Sequence, residues 1–296
     1  HIILKYIFVA DELYHKKLVV VPIFYIQIFK CLQKRKVHLT RFYKNHFLME
    51  IQKYIDSKRE IQRTLIDFFQ SLSSNEDCFY SLRDILDSNG IFRHASDLKE
   101  FLRLLLKISE NSRRFEHFSN KNEQILLYLK PYIKQTCSNS EIFEIFKKSK
   151  LLLYLLLKND ILILEGPILD EIIENKEIEF IQFFYSELKP LIDSEKLKMI
   201  EEQLDPTTLD DFDKKRQIGE NDSYICELIR HGKIQEFIVY VNKENFQYKT
   251  FRVKRSIFET NPFLIKNEPT LIEYAAFFGS IEFFQFLLLN GVELTS

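Results

Sequence analysis

The sequence predicts an all-α protein, in which a helical domain is followed by a short helix–turn–helix solenoid. Turn-forming residues are scarce, because 6 Gly and 7 Pro make only 13 of the 296 residues, about a third of average usage. Sandwiches and barrels need such residues for many turns, whereas helices joined by short polar loops need few. Apolar residues also recur at three- and four-residue spacings from Met49 onward, and three later segments resemble one another.

Charge and cysteine usage indicate the expected environment. The 42 Lys and Arg against 43 Asp and Glu give a net charge of −1, so the whole molecule has no field that favours nucleic acid or anionic lipid. The cysteines form no CxxC pair and the 7 histidines form no closely spaced ligand set, so we expect reduced thiols, no metal and no cofactor. The cysteines are Cys31, Cys78, Cys137 and Cys226.

The apolar run near the start of the chain predicts no membrane insertion. It extends from Leu18 to Phe29, is interrupted by Gln27 and contains Pro22. A transmembrane helix needs about 20 consecutive apolar residues, and this run is much shorter. Charged residues precede the run and no small-residue cleavage site follows it, which is a poor match to a signal peptide. We therefore expect a cytoplasmic protein, with the nucleus as the alternative compartment.

Residues 1–48 differ in charge from the rest of the chain. They hold 9 Lys or Arg against two acids, a net charge of +7. Met49 is the first methionine and coincides with the start of a charged helical pattern, so the segment is interpreted either as a basic extension or as sequence upstream of the true start. A functional extension would supply a nuclear-import or nucleic-acid patch. Its residues would be Lys34, Arg35, Lys36, Arg41 and Lys44.

The helical domain is predicted at residues 49–210. Its first helix runs from Met49 to Gln70, because apolar residues alternate there with charged ones at helical spacing. The second helix ends at Asn89-Gly90, a pair that tolerates a left-handed cap. Ser96 is predicted to cap the third helix, and Asn120 the fourth.

The later part of this domain continues the helical pattern. Pro131 is expected to kink or end the fourth helix. Ser138 with Glu141 has the spacing of a capping box and predicts another helix start. Leu151 to Leu157 is apolar at every position, which favours a helix buried on most sides over a short core strand. The charged segment 210–216 is interpreted as a solvated linker that ends the domain.

Internal similarity is the most informative feature of the second half. The segment Ile281–Leu287 matches Ile178–Phe184 at an offset of 103, and Gly279–Phe284 matches Gly232–Phe237 at an offset of 47. Each segment is predicted to be the second helix of a pair, and such pairs must stack to bury their apolar faces. The first helices would be Leu169–Glu174, Tyr224–Arg230 and Leu271–Phe277.

The last of these units, Thr270–Val292, resembles an ankyrin repeat. Its residues match the opening threonine of the family, the small pair of the inner helix, the glycine that reverses the chain, and the L-L-x-x-G close. These repeat positions are Thr270, Ala275, Ala276, Gly279, Leu287, Leu288 and Gly291. The sequence departs from the family at Leu271 and Glu273, which stand for Pro and His, and this puts the usual Thr-to-His hydrogen bond in doubt.

The resemblance implies a short ankyrin-like array at residues 215–296, with repeats at 222–242 and 268–296. Gly232 is kept in the first of these, and residues 168–187 lack the glycine and are at most a relic. The stretches Ser138–Phe143, Gly219–Cys226 and Ser256–Asn261 also resemble an expanded family of protist ankyrin-repeat proteins with a helical domain of unknown function, and this resemblance covers most of residues 76–296. In that family more repeats follow, which implies that this chain stops inside its array. The apolar residues Phe284, Leu287 and Leu288 would then lie at an uncapped end and promote self-association.

The resemblance also implies a function, because ankyrin repeats bind proteins through hairpin tips and the inner-helix surface. We therefore expect a non-catalytic scaffold or adaptor with a protein partner. Aromatic and arginine side chains are the types that carry binding energy at interfaces. The expected binding residues are Arg230, His231, Glu273, Phe277 and Phe278. An alternative for Phe277 is that it packs as core under the preceding insertion.

Two other functions stay open from the sequence. A nucleic-acid-binding protein would use residues 30–44 and the basic, aromatic segment 113–118, although a surface loop is the simpler interpretation of the latter. An enzyme would place its site in the helical domain and use the repeats as a targeting arm, yet the chain contains no P-loop, GxGxxG, GxSxG or kinase motif. A cation loop is not favoured, because the acidic residues lack the Gly and closing Glu of an EF-hand. These acids are Asp205, Asp210, Asp211 and Asp213.

Overall fold

The computed structural model describes residues 41–71, 76–111, 118–175, 177–204 and 209–292. These residues are mostly helical, which confirms the prediction of an all-α protein. In the described ranges, extended pairing is limited to one isolated antiparallel bridge between Arg252 and Thr270. The basic residues 34–36, the loop residues 113–117 and Asp205 lie outside the described residues, so the predictions made for them stay predictions.

The first ten described helices precede residue 205. They are α1 (Arg41–Gln70), α2 (Glu76–Ser88), α3 (Ala95–Asn111), α4 (Phe118–Thr136), α5 (Asn139–Phe146), α6 (Lys150–Lys158), α7 (Gly166–Asn175), α8 (Ile178–Phe183), α9 (Tyr185–Leu188) and α10 (Ser194–Glu202). The remaining described helices are α11 (Phe212–Ile218), α12 (Tyr224–Arg230), α13 (Ile234–Lys243), α14 (Pro262–Asn267), α15 (Leu271–Phe278) and α16 (Ile281–Leu289). No helix of the described ranges has the length and apolar content needed to cross a bilayer.

One of the three helix starts predicted from cap residues agrees with the structure. Ser138 and Glu141 form the predicted capping box at the start of α5. The predictions for Ser96 and Asn120 are wrong, because α3 begins at Ala95 and α4 at Phe118, which places both residues inside a first turn. Pro131 neither ends α4 nor marks its boundary. It lies on the exposed side, and the carbonyl group that it leaves without a donor belongs to Leu127, which is also exposed and can meet water.

The first hydrophobic cluster contains apolar side chains from Ile61 to Phe212, together with Phe258. Helix α6 lies inside it, since Leu151 to Leu156 are all buried, as predicted for a helix covered on most sides. Leu157 is only partly buried, and the helix ends at the charged residue Lys158. Residues 41–59, at the beginning of α1, belong to a separate unit and are hydrogen-bonded locally, for example from Gln52 Nε2 to Asp56 Oδ1 at 2.9 Å.

The segment predicted as a solvated linker is a helix instead. Phe212 and Arg216 of α11 are buried, and the Arg216 guanidinium lies 4.6 Å from the Tyr154 ring centroid. Arg216 Nη1 donates to Glu187 Oε2 at 2.6 Å, and Asp213 also pairs with this guanidinium. A buried arginine with two carboxylate partners makes the charged segment part of the core, which local composition alone does not reveal. The predicted domain boundaries stay predictions.

The second hydrophobic cluster contains apolar side chains from Ile225 to Val292. Helix α12 packs against α13 and α15, and α15 packs against α16. Two helical hairpins, α12–α13 and α15–α16, therefore share this core through their first helices. The assignment of these helices to repeats at 222–242 and 268–296 stays a prediction.

Residues 256–261, which we call the strap, connect the two clusters. Phe258 is buried in the first cluster, with its ring centroid 5.5 Å from that of Phe212. Lys150 Nζ donates to the carbonyl oxygen of Ile257 at 3.1 Å, and Thr260 Oγ1 donates to that of Gly219 at 2.7 Å. Both clusters accordingly belong to one compact unit, residues 60–296.

Candidate functional site

The beginning of α15 is fixed by a capping box between Thr270 and Glu273. Thr270 Oγ1 accepts a hydrogen bond from the Glu273 backbone N–H at 3.4 Å. Glu273 Oε2 accepts from the Thr270 backbone N–H at 2.8 Å and from the Thr270 hydroxyl at 2.9 Å. The sequence put the usual Thr-to-His hydrogen bond in doubt, because Glu273 stands where the family has His. In the structure the Glu273 carboxylate accepts hydrogen bonds from Thr270. Glu273 is half-buried and committed to the cap.

The glycines of the repeat-like units terminate their helices in the same way. Gly232, Gly279 and Gly291 all have left-handed backbone conformations, with φ of 66°, 68° and 78°. The N–H after each glycine donates to a carbonyl five residues back; for example, Ser280 N donates to Ala275 O at 2.9 Å. Lys233 N donates to Leu228 O at the same distance, 2.9 Å. This is the six-to-one hydrogen bond of a Schellman cap. At Gly232 and Gly279 it leads from the first helix of a pair into the second, and at Gly291 it follows the end of α16.

The small pair of the inner helix is divided between core and solvent. Ala275 is fully buried in the second cluster, whereas Ala276 is exposed. Neighbouring residues point about 100° apart on a helix, and α15 packs against both α12 and α16. Ala275 therefore permits close helix packing, and Ala276 forms part of the surface.

Arg230, for which partner binding stays a prediction, is bonded within the protein. Its Nε lies 2.7 Å from Glu220 Oε2, and its Nη1 donates to Asn221 O and to the Tyr274 hydroxyl, each at 2.7 Å. Burial opposes its charge, but Tyr274 and Glu220 raise its pKa above the ordinary value. The guanidinium also lies over the face of the Phe278 ring, 5.9 Å from its centroid, which is a cation–π contact.

Phe277 and Phe278 form a partly exposed aromatic group with a third ring. The centroids of Phe263 and Phe277 are 5.9 Å apart with only 6° between the ring planes. Phe278 lies 5.1 Å from Phe277 and 4.7 Å from Tyr274. Phe263 is 50% exposed, and both Phe277 and Phe278 are partly accessible. We call Phe263, Phe277 and Phe278 the aromatic patch.

Phe263 could not be identified from the repeat motif, because it precedes the motif and lies on α14. The pair Asn261-Pro262 is the sequence signal that could have predicted the start of α14. Asn261 caps this helix by accepting a hydrogen bond from the Phe263 N–H at 2.9 Å. The helix start holds Phe263 next to α15. His231 and Gly232, at the turn between α12 and α13, are exposed and open to a ligand.

The predicted repeat-end residues differ in exposure. Leu287 is fully buried, Phe284 is partly buried, and Leu288 is 49% exposed. Its neighbour Leu289 is 86% exposed and was not singled out from the sequence. Helix α16 therefore exposes apolar side chains besides the predicted Leu288.

Other reactive groups do not assemble into a second site in the described ranges. No group of three or more His, Cys, Asp or Glu there could hold a metal ion. Burial raises the pKa of the Cys226 thiol to about 11, so that the thiol stays protonated at neutral pH. Burial also raises the pKa of the Glu110 carboxyl, which is opposed by Lys107 and Lys148.

Comparisons with known proteins supply no relative for this chain: no family model, no curated protein and no solved structure matches it.

Proposed function

We propose that the chain is a non-catalytic protein-binding scaffold, in which α12–α13 and α15–α16 form an ankyrin-like array and the aromatic patch contacts a protein partner. Support for the array comes from two consecutive helical hairpins that share a core through their first helices. Each hairpin turns at a left-handed glycine, 47 residues apart, with the same hydrogen bond. Further support comes from Thr270, which caps α15, and from Ala275 and Leu287, which are buried in the second cluster.

The observation that carries the binding proposal is the stack of Phe263 on Phe277. Phe263 is half-exposed, so part of its apolar surface stays in contact with water in the free protein. A protein partner would bury this surface, and grouped exposed aromatic rings are typical of binding surfaces. The rings of the patch also contact one another. Tyr274 and Arg230 hold Phe278, and Phe278 in turn contacts Phe277, so a partner would meet preformed rings and lose little conformational entropy.

The proposal is tested by a pull-down from nuclease-treated lysate of the source cells, using the full chain as bait. The variant is Phe263→Ser with Phe277→Ser, which removes the stacked pair and leaves Phe278 on Tyr274 and Arg230. The matched control is Tyr80→Ser, which removes an aromatic ring that is 52% exposed on α2. Circular dichroism establishes that all three proteins are equally helical.

We expect one purified captured protein to bind the parent and the Tyr80→Ser control saturably, and to lose at least about tenfold in affinity for the double variant. Equal affinity for all three proteins would contradict the assignment of the aromatic patch. A captured factor that disappears after nuclease treatment would contradict protein binding and favour the nucleic-acid alternative.

A further inference from the structure

A cavity of about 470 Å³ lies between the start of α12 and the segment that enters the strap. Residues between 221 and 225 line it together with residues 254–258, and aromatic rings from α13 and the following loop complete the lining. Sites for small molecules typically measure about 300–1,000 Å³. All the lining residues belong to the compact unit 60–296, so the cavity is formed within one body of the structure.

Three aromatic rings supply the apolar part of the cavity. Tyr240 is on α13, and Phe246 and Phe251 are on the loop that follows it. The ring centroids of Phe246 and Phe251 are 4.8 Å apart, and those of Tyr240 and Phe246 are 5.9 Å apart. Each ring is only partly buried. Nucleobases and similar flat rings stack on aromatic side chains, so this wall favours a ligand with a planar ring system.

The Asp222 carboxylate also lines the cavity and has acceptor positions left for a ligand. Its Oδ1 accepts from the Ser256 hydroxyl at 2.7 Å, and its Oδ2 lies 3.6 Å from Lys215 Nζ. An ionised carboxylate has about four acceptor positions on its two oxygens, so one position on each oxygen is unused by the described residues. Because Lys215 already balances the charge of Asp222, neutral N–H donors suit this carboxylate better than an ammonium group does.

Lys254 supplies a cation at the same cavity. Its backbone carbonyl accepts from Asn221 Nδ2 at 2.8 Å, which fixes the residue in the wall. Its ammonium group is exposed and has no ion-pair partner among the residues that the structure describes. The neighbouring Arg255 differs, since it pairs with Glu177 at 3.6 Å and with Glu268 at 3.5 Å. Lys254 is therefore available to an anionic group of a ligand, such as a phosphate.

We propose that this cavity binds a guanine mononucleotide, without covalent chemistry. Guanine carries two adjacent neutral N–H donors, at N1 and at the N2 amino group, and these match the two unused acceptor positions of Asp222. The base would stack on Phe246 and Phe251, and the phosphate would pair with Lys254. The proposal uses no residue of the aromatic patch, so it holds or fails separately from protein binding.

The test is isothermal titration calorimetry of the full chain with guanosine monophosphate (GMP), adenosine monophosphate (AMP) and guanosine, each up to about 5 mM. GMP should bind saturably, one molecule per chain. AMP offers Asp222 an amino group beside a ring acceptor, and guanosine lacks the phosphate. Each of these two probes should therefore bind at least about tenfold more weakly than GMP, because a polar group of the site is left without its partner.

Two variants place the nucleotide in this cavity. Asp222→Asn offers one acceptor and one donor instead of two acceptors. It should bind GMP more weakly and should prefer xanthosine monophosphate, whose ring has an oxygen in place of the guanine amino group. Lys254→Met should bind GMP no better than guanosine, because its phosphate contact is lost. The matched control is Lys249→Met, which removes an exposed lysine of the same loop outside the lining and should bind GMP like the parent.

Circular dichroism shows whether each variant keeps its helices. A parent that binds no GMP in this range overturns the proposal, and equal binding of GMP and AMP overturns the choice of base. A folded Asp222→Asn variant that keeps the parent's preference for GMP would place the nucleotide outside this cavity. A folded Lys254→Met variant that still prefers GMP to guanosine would contradict the phosphate contact.

Discussion

Arg230 shows how much a single side chain can contribute to the repeat-like part. Its guanidinium joins Glu220, Asn221 and Tyr274, residues that lie up to 44 positions away in the sequence. Removing one partner of a largely buried ion pair leaves the other charge uncompensated, which costs more than the pair itself contributes. Arg230 is therefore a structural residue that also holds Phe278 of the aromatic patch.

Arg230→Met should lower the free energy of unfolding by about 3 kcal/mol, because the largely buried Glu220 then loses its ion pair with Arg230. The control Lys233→Met removes an exposed partner of Glu236 at 3.6 Å and should cost less than about 0.5 kcal/mol. Urea unfolding followed by circular dichroism gives both values. Equal losses in the two variants would show that the Arg230 network contributes no special stability.

Lys150 is a buried cation that opposes folding at neutral pH. Burial lowers its pKa to about 8, although Glu179, Glu259 and Glu177 attract the charge, and Arg255 lowers the pKa further. The ordinary value is 10.5, so between pH 8 and pH 10.5 the unfolded chain holds more protons than the folded protein. Stability from this group therefore rises with pH through that window and is at its minimum below it.

Lys150→Met should be more stable than the parent at pH 7 by about 1–2 kcal/mol, because the buried charge is removed while the carbonyl of Ile257 loses its donor. This advantage should fall by on the order of 3 kcal/mol by pH 10.5, where Lys150 is neutral in the parent as well. Urea titrations at both pH values measure it, since other titrating groups cancel between the two proteins. Lys148→Met, an exposed neighbour, should show no such change. A difference that stays constant with pH would contradict the buried cation.

At the scale of the element, the turn of the α12–α13 hairpin depends on Gly232 for conformation and not for space. Gly232 has a φ of 66°, and a Cβ placed there would meet no atom within 4 Å. Gly232→Ala should consequently cost about 1 kcal/mol, the price of a left-handed conformation alone, and Gly232→Asn should cost less. Thermal unfolding of the three proteins measures this series. If the Asn variant were the less stable one, the left-handed cap would not be the reason for the glycine.

Sequence patterns predicted these elements well where the determining contacts are local. The capping box at Ser138 and the buried helix at Leu151 to Leu157 depend on neighbours within one or two turns. Long-range contacts explain the differences. Phe263 joins the aromatic patch from outside the repeat motif, and Arg230 is drawn inward by Tyr274, so neither role is encoded at short spacing. Tertiary partners, which a single sequence does not reveal, decide such cases.

At the scale of the whole molecule, the strap makes the two hydrophobic clusters depend on each other. Phe258 is buried in the first cluster, while Val253, a few residues earlier, is buried in the second. Two hydrogen bonds fix the chain next to these residues. Asn221 Nδ2 donates to Lys254 O at 2.8 Å, and Asn261 Nδ2 donates to Glu110 O at 3.3 Å. One cluster therefore cannot open without straining the segment that enters the other, and we expect the two clusters to unfold together.

Phe258→Ala should uncouple them and lower the free energy of unfolding by about 3–5 kcal/mol, because the anchor of the strap becomes a cavity. Cys226 is a reporter for the second cluster, since its buried thiol reacts with an alkylating reagent only when that cluster opens. In the parent, peptide-level mass spectrometry should show Cys226 alkylation at the same urea concentration at which helicity is lost. In Phe258→Ala, alkylation should come first, at lower urea. The control Phe251→Ala weakens the second cluster alone. If the strap couples the clusters, this variant should shift Cys226 alkylation and the loss of helicity together to lower urea. Separate transitions of these two signals in the parent would show that the clusters unfold independently.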